Sequence, residues 1–424
     1  MTEQFEAFKQ QYPATSGLNA IRLAGLQQFE KLGLPTRKNE AWHYTSLKDL
    51  RENKFTLALL GPAQQISKNK LALYNPEFYN IVFVDGRLDK SMSDISLLGG
   101  EIEIAELQNT QIVAAPNSAK KNPLEALNQS YLQQGLSITL RKNSALNKPL
   151  QVISIVTEAE RMVHPFLLVA LEENSKLSLI ESFESLRSSS WQNSVASIKL
   201  ARGSKLEYLR LQTENQGSYN TGSSHVELSE DSSLESLSFT VGAKLGRHDL
   251  SVDLIGKNAS ARLHGLTVAS HTQHLDHNTV IDHRVGQCTT SQLYKSVLDA
   301  KARSVFTGMV KIQQGAQKAS SEQLNNNLLL SREAEADSRP QLEILADDVK
   351  ATHGSTVGQL NPEELFYLLS RAIPREQAIE MLSLGFVQDL VYQVSEPRIQ
   401  KWLLEVLVRN YRQSIQLKEV EPNV

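Results

Sequence analysis

A single cysteine, Cys288, is all the thiol chemistry that this 424-residue chain carries. An internal disulfide and a multi-thiolate metal site are thereby excluded, and the composition suits a reducing cytosol. No apolar run approaches the roughly 18–20 residues of a membrane span. The N-terminus MTEQFEAFKQQYPATSG places acids and glutamines where a signal peptide needs an apolar core. An excess of one charge is missing as well. With 44 Lys plus Arg against 47 Asp plus Glu, there is no basic field to hold duplex nucleic acid or an anionic membrane. A cytoplasmic protein is expected. Catalytic signatures are also lacking. The stretch Gly242-Ala243-Lys244-Leu245-Gly246-Arg247 has glycines but neither the spacing nor the Lys-Ser/Thr of a phosphate-cradling loop, so ATP hydrolysis by this chain is not expected. There is no G-x-S-x-G elbow and no C-x-x-C pair. The adjacent acids Asp347 and Asp348 would point to opposite faces of a strand, which is poor geometry for flanking one bond.

What is present divides into three parts. Residues 1–75 look partly helical, with Phe5 and Phe8, Leu18 and Ile21, then Leu23, Leu26, Phe29 and Leu32 recurring at three-residue spacing, punctuated by Pro35 and Pro62. Residues 76–360 carry short alternating runs rich in Val, Ile, Leu and Ser. They are interrupted by one short helix that Asn122-Pro123 should open and Gly135 should close. Residues 361–424 return to helix. Asn361 caps, Pro362 takes the first turn, and Leu365, Leu368 and Leu369 form a stripe; Pro374 and Pro397 divide the remainder. In the last segment Ile399, Trp402, Leu403 and Val406 fall on one face.

The middle part repeats. An apolar residue is followed three positions later by Asn, Gly or Asp, and three later again by Leu. The copies are Leu140-Asn143-Leu146, Leu171-Asn174-Leu177, Leu200-Gly203-Leu206 and Leu228-Asp231-Leu234, with a weaker fifth at Ile255-Asn258-Ala261. In the fifth, Val252 and Leu254 carry the alternation better. Asn, Gly and Asp tolerate left-handed backbone angles, so each copy reads as strand, tight turn, strand. A period near 28 residues with two strands per copy predicts a mainly β fold, a stacked parallel β-helix with helical caps at both ends. A meander of hairpins in a sandwich or barrel is the competing architecture. Asn325, Asn326 and Asn327 could ladder between coils or form a polar turn.

Candidate chemistry centres on histidine. His271, His274, His277 and His283 are dense enough to raise a metal site. Along one continuous strand, however, His271, His277 and His283 would be held far apart, and His274 would face the other way. His353, in LADDVKATHGSTVG, could be a ligand, an acid–base group or a structural turn residue. Cys288 reads as a small buried hydrophobe.

Four blocks in order, GLPTRKNEAWHYTSL (Gly33 to Leu47), QLYKSVLDAKARSVFTGMVKI (Gln292 to Ile312), QLNNNLLL (Gln323 to Leu330) and RPQLEILADDVKATHGSTVGQL (Arg339 to Leu360), resemble the SufB/SufD family of the SUF iron–sulfur cluster assembly system, on its SufD side. The resemblance implies a right-handed parallel β-helix between helical regions. It also implies a non-enzymatic scaffold that pairs with the paralogue SufB and binds the ABC-type ATPase SufC through the C-terminal helices, within Asn361 to Leu417. It assigns His353 to a nascent Fe-S cluster site at the SufB interface, as a metal ligand. No cofactor would be tightly bound by the isolated chain, and reduced flavin is associated with such complexes. Relatives can carry Cys two positions before this His, where this chain has Ala351, so thiolates would come from SufB. Trp42 is expected to pack the N-terminal block rather than touch cofactor. A homodimer in the absence of SufB is possible. Two other functions stay open beside this one: a β-helical polysaccharide-acting enzyme, against which the sparse aromatics weigh, and a stand-alone histidine-based metal binder.

Overall fold

The computed structural model describes residues 2–11, 16–57, 66–107, 122–132 and 134–415; Pro62 and everything beyond residue 415 lie outside them. From Tyr79 to Gln359 the chain winds as a parallel β-solenoid of about eight turns. Each full coil lays one strand in each of two sheets. The first sheet runs from Gly135–Leu140 to Glu335–Ile344, and the second from Tyr79–Val84 to Lys350–Gln359. Coil-to-coil pairing is parallel and in register, so Leu140, Leu171, Leu200, Leu228 and Leu254 stand in one column. A hairpin meander would pair these strands antiparallel. Among the described residues, antiparallel pairs occur only at the first end, where Arg87–Asp89 and Ile102–Glu106 close the edges of the stack.

The sequence repeat marks one corner of this coil. Asn143, Asn174, Gly203, Asp231 and Asn258 all adopt left-handed φ, between 56° and 68°, the region that Asn, Asp and Gly enter at least cost. In the fifth copy Leu254, not Ile255, continues the buried column. Later coils place Gln287 and Lys318 at the same corner, also at positive φ, and those residue types do not advertise the turn. The expected asparagine ladder exists, but at this corner. Asn174 donates to Asn143 at 3.2 Å and Asn258 to Asp231 at 3.1 Å. Asn325, Asn326 and Asn327 lie instead within a strand. There Asn325 donates to the carbonyl of Tyr294 and Asn327 to that of Thr356, one coil to either side.

Helices cover the N-terminal end and one flank. Helices α1 (Thr2–Gln11) and α2 (Ser16–Leu32) precede the short α3 (Lys48–Glu52), and α4 (Pro123–Ser130) is an excursion from the solenoid. A helix turns once per 3.6 residues and cannot keep a strict three-residue track on one face. Thus α2 buries Leu18, Arg22, Leu26 and Phe29, while Leu23 and Leu32 are exposed. Arg22 donates twice to the carbonyl of Leu132, at 2.9 and 2.6 Å, and lies over the ring of Phe8. A Cβ at Gly25 would sit 2.8 Å from the Ala126 carbonyl, so only glycine lets α2 cross α4 this closely. Asn122 caps α4 as expected, accepting from the Leu124 N–H at 3.0 Å. The helix ends at Ser130 rather than at Gly135, which opens the next strand.

At the other end of the chain come α5 (Pro362–Ser370), capped by Asn361, then α6 (Arg375–Val391) and α7 (Pro397–Ser414). The stripe Ile399, Trp402, Leu403 and Val406 on α7 joins Val387 and Leu390 of α6. Together they pack on Leu209, Leu211, Phe239, Leu266 and Val297 on the outer face of the second sheet. That face is spent on the fold.

Candidate functional site

The last coil has no successor. Strand Glu335–Ile344 and strand Lys350–Gln359 each pair on one edge only, through Arg303–Ile312 and Ser320–Leu329. Their outer edges leave main-chain N–H and C=O groups without a strand to bond. On the second sheet the register continues the interior columns outward. Ala351, His353, Ser355 and Val357 follow the buried Ser321, Gln323, Asn325 and Asn327. On the first sheet Ala336, Ser338, Pro340 and Leu342 follow Ser304, Phe306, Gly308 and Val310. The mouth of the solenoid is therefore a slot lined from both sheets. His353 is exposed on its rim, and Val357 is 52% exposed.

Below the mouth the interior is apolar along the left-handed corner and polar on the other side. Tyr208 donates to the buried carboxylate of Glu181 and meets Ser224 at 3.0 Å. Ser224 meets His248 Nε2 at 3.0 Å, and His248 Nδ1 meets Ser238 at 3.0 Å. Arg210 donates to Asn220 at 2.7 Å and lies over the ring of Phe183. Burial disfavours charge here. Glu214 is pushed up to about 7 and His277 down to about 3, and Glu184, buried on the outer face of the second sheet beneath Ala72 and Leu73, is likewise pushed up to about 7. Long polar side chains cross the lumen against glycine: a Cβ at Gly222 would lie 2.3 Å from Arg210 Nη2, and one at Gly308 1.8 Å from Gln323 Nε2.

The dense histidines are dispersed. His271 is an exposed turn residue at φ 57°. His274 points outward to the Thr45 hydroxyl at 2.9 Å. His277 and His283 point inward to Thr267 and Thr290. Among the described residues no three His, Cys, Asp or Glu side chains converge as a metal-ion group would. Cys288 lies two coils below His353 in a corner column between Ala259 and Ala319; its thiol donates to the Gly256 carbonyl at 3.3 Å, and burial raises its pKa. It cannot share a ligand set with His353. Ala351 shares the inward face of His353's strand and packs against the interior cluster. Trp42 is buried over the guanidinium of Arg247, 4.0 Å from ring centroid to carbon. Arg247 is paired with Asp249 and Asp276, and Asp276 accepts from Thr45. The N-terminal block is thus a clamp on the first sheet.

A second surface lies on the C-terminal helices, in the region that the resemblance assigns to the ATPase contact. Helix α5 has no buried residue, and Phe366 (72% exposed) and Tyr367 stand outward. Beside them Leu330, Leu360, Pro362, Leu365, Leu369 and Ile379 line a groove that joins α5 and α6 to the last coils. Its apolar side chains follow the cap Asn361 directly, but nothing in their periodicity distinguishes a free face from a packed one.

Comparison with known proteins identifies the relatives of this chain. The family model described as SUF system FeS cluster assembly, SufBD core domain matches residues 154–386, and that of the SufBD protein N-terminal region matches residues 2–152. The chain is 32% identical to the iron–sulfur cluster assembly protein SufD of Escherichia coli over 385 residues, covering 89% of this chain and 90% of that protein. It is 26% identical to an iron–sulfur cluster assembly SufBD family protein of Synechocystis, covering 92% of each. To SufD of Bacillus subtilis it is 23% identical, covering 97% of this chain and 98% of that one. With both halves matched and the solenoid and its terminal helices in place, the chain belongs to the SufBD family, as an iron–sulfur cluster assembly protein of the SufD type.

Proposed function

We propose that this chain is a cytoplasmic, non-enzymatic scaffold subunit on which Fe-S clusters are built and passed on, working in complex with a SufB paralogue and a SufC ATPase. The observation that carries this reading is the uncovered last coil, with His353 on its rim. A second solenoid could lay its own edge strands against these two edges and complete their hydrogen bonding, as strand addition does. An imidazole at that seam is a borderline ligand suited to iron beside thiolates. With Cys288 sequestered and Ala351 lacking sulfur, those thiolates would belong to the SufB chain. The cluster is cargo shared between subunits. The ATPase would take the exposed face of α5 and α6, the apolar surface that the fold leaves unspent. In isolation the same open coil would let two copies of this chain pair.

The test is co-expression with candidate SufB and SufC chains, affinity capture of this protein and light scattering on what co-elutes. A defined complex containing both supports the scaffold; a lone monomer beside soluble partners sinks it. Within the complex, His353→Ala is expected to leave assembly intact and to lower cluster accumulation at least several-fold, read by iron and sulfide content. Unchanged accumulation would remove His353 from the site.

A further inference from the structure

Beneath His353 the same interior column holds Leu263, Gln292 and Gln323, each the register partner of the next. Gln292 is anchored, accepting from the Thr279 hydroxyl at 2.7 Å. Gln323 is fully buried, yet neither its amide oxygen nor its amide nitrogen has a hydrogen-bond partner. A buried amide left unpaired opposes folding. The side chain is also hemmed in: its Nε2 lies where a Cβ of residue 308 would be, so the amide sits against the first sheet only because that residue is glycine. The next group along the column, one strand spacing towards the mouth, is the exposed imidazole of His353.

Resting on the proposed role of His353, we infer that Gln323 is its positioning residue. When a partner covers the mouth, the imidazole turns into the slot and donates one ring N–H to the Gln323 amide oxygen. That bond fixes the tautomer and leaves the other ring nitrogen facing the seam, where the cluster is bound. Metal-ligating histidines generally have such a partner for the second nitrogen. An amide kept unpaired in the free chain and satisfied on assembly stores a local cost that the assembled site recovers.

Two measurements test this. In the free chain, Gln323→Leu removes an unpaired amide and should raise the melting temperature by about 1–3 °C; a fall would show that the amide serves the fold and would overturn the inference. In the complex with SufB and SufC, this chain is labelled with 15N-histidine and the reduced cluster is read by pulsed electron paramagnetic resonance. His353→Ala should remove the 15N coupling. Gln323→Leu should split or shift it, Gln323→Glu should preserve it by keeping an acceptor, and Gly308→Ala, which displaces the amide without deleting it, should resemble Gln323→Leu. A wild-type coupling in both Gln323→Leu and Gly308→Ala overturns the positioning role alone. A coupling that survives His353→Ala overturns the cluster site and this inference with it. Should Gln323→Leu fail to assemble, Gln323→Glu and Gly308→Ala give the same decision.

Discussion

The two ends of the solenoid are built from the same kind of strand and finished in opposite ways. At the first end every residue of Leu150–Val156 is buried and the neighbouring strand Tyr79–Val84 is closed by an antiparallel partner, while α1, α2 and α4 cover the flank of the first sheet at Met162, Trp191 and Tyr219. At the last end Ala351 and Gly354 are the only residues of Lys350–Gln359 that are even half-buried. A parallel coil satisfies one edge of its backbone and one side of its apolar column only when another coil follows. Antiparallel strands close the edges at one end, whereas at the other the outer edges of the last coil stay unpaired and offer a surface on which a further strand could be laid. On the proposed function, the bare end serves association while stability rests on the covered coils.

Substitutions should separate the covered coils from the bare last one. The largest effect is expected at the clamp over the covered part: Asp276→Ala leaves Arg247 buried beneath Trp42 with one carboxylate instead of two. It should cost about 3–5 kcal/mol in urea unfolding. Leu179→Ala, in the interior column, should cost about 2–5 kcal/mol. At the open end Val357→Ala should change the stability of the free chain by no more than about 0.5 kcal/mol. It should nonetheless weaken capture of the paralogue; equal destabilisation by Leu179→Ala and Val357→Ala would erase the distinction.

Titration sharpens the contrast within the covered part. The pKa of His277 is depressed to about 3 by burial. An unfolded chain therefore takes up a proton that the folded chain refuses as pH falls below about 6.5, and stability is lost on the acid side. Between pH 7 and 4.5, His277→Gln should gain on the wild type by on the order of 2–3 kcal/mol. Glu184 runs the other way. Burial raises it to about 7 although it accepts the N–H groups of Ala72 and Leu73, so its contribution is complete below about pH 4.5 and is lost as pH rises through about 7. Glu184→Gln should therefore gain on the wild type as pH rises over that span; unfolding curves at the two pH values with parallel trends for both variants would contradict the burial argument.

The smallest effect on stability, within about 0.5 kcal/mol, is expected for Phe366→Asp on the exposed face of α5, with ATPase capture reduced at least tenfold. A surface change is the cleaner probe here. Removing α5, α6 and α7 together would bare Leu209, Leu211 and Phe239 on the second sheet and confuse loss of a partner with loss of the fold.

The coil was legible because its corner demands one backbone angle. Asn143, Asn174, Gly203, Asp231 and Asn258 declare left-handed φ by residue type, and the leucines around them declare burial. Gln287 and Lys318 meet the same demand without declaring it, so the later coils were silent. The column Gln292, Gln323 and His353 recurs at offsets of 31 and 30 residues and could have been found by extending the period, although nothing in it reveals that the Gln323 amide goes unpaired. The stripe on α7 is legible as apolar in the sequence, but periodicity records that a face seeks cover and not what covers it. Here the second sheet supplies that cover, and the unspent surface is on α5.

The sequence by itself determined the repeat, the left-handed corners, the caps at Asn122 and Asn361 and, through its resemblance, the family, because each of these follows from the preferences of residues close together in the chain. Only the tertiary structure decided that the dense histidines diverge, that Cys288 is sequestered two coils from His353, and that Gln323 lies buried and unpaired beneath it. Those are consequences of stacking, in which residues about thirty positions apart become neighbours and adjacent residues face opposite sides of a sheet.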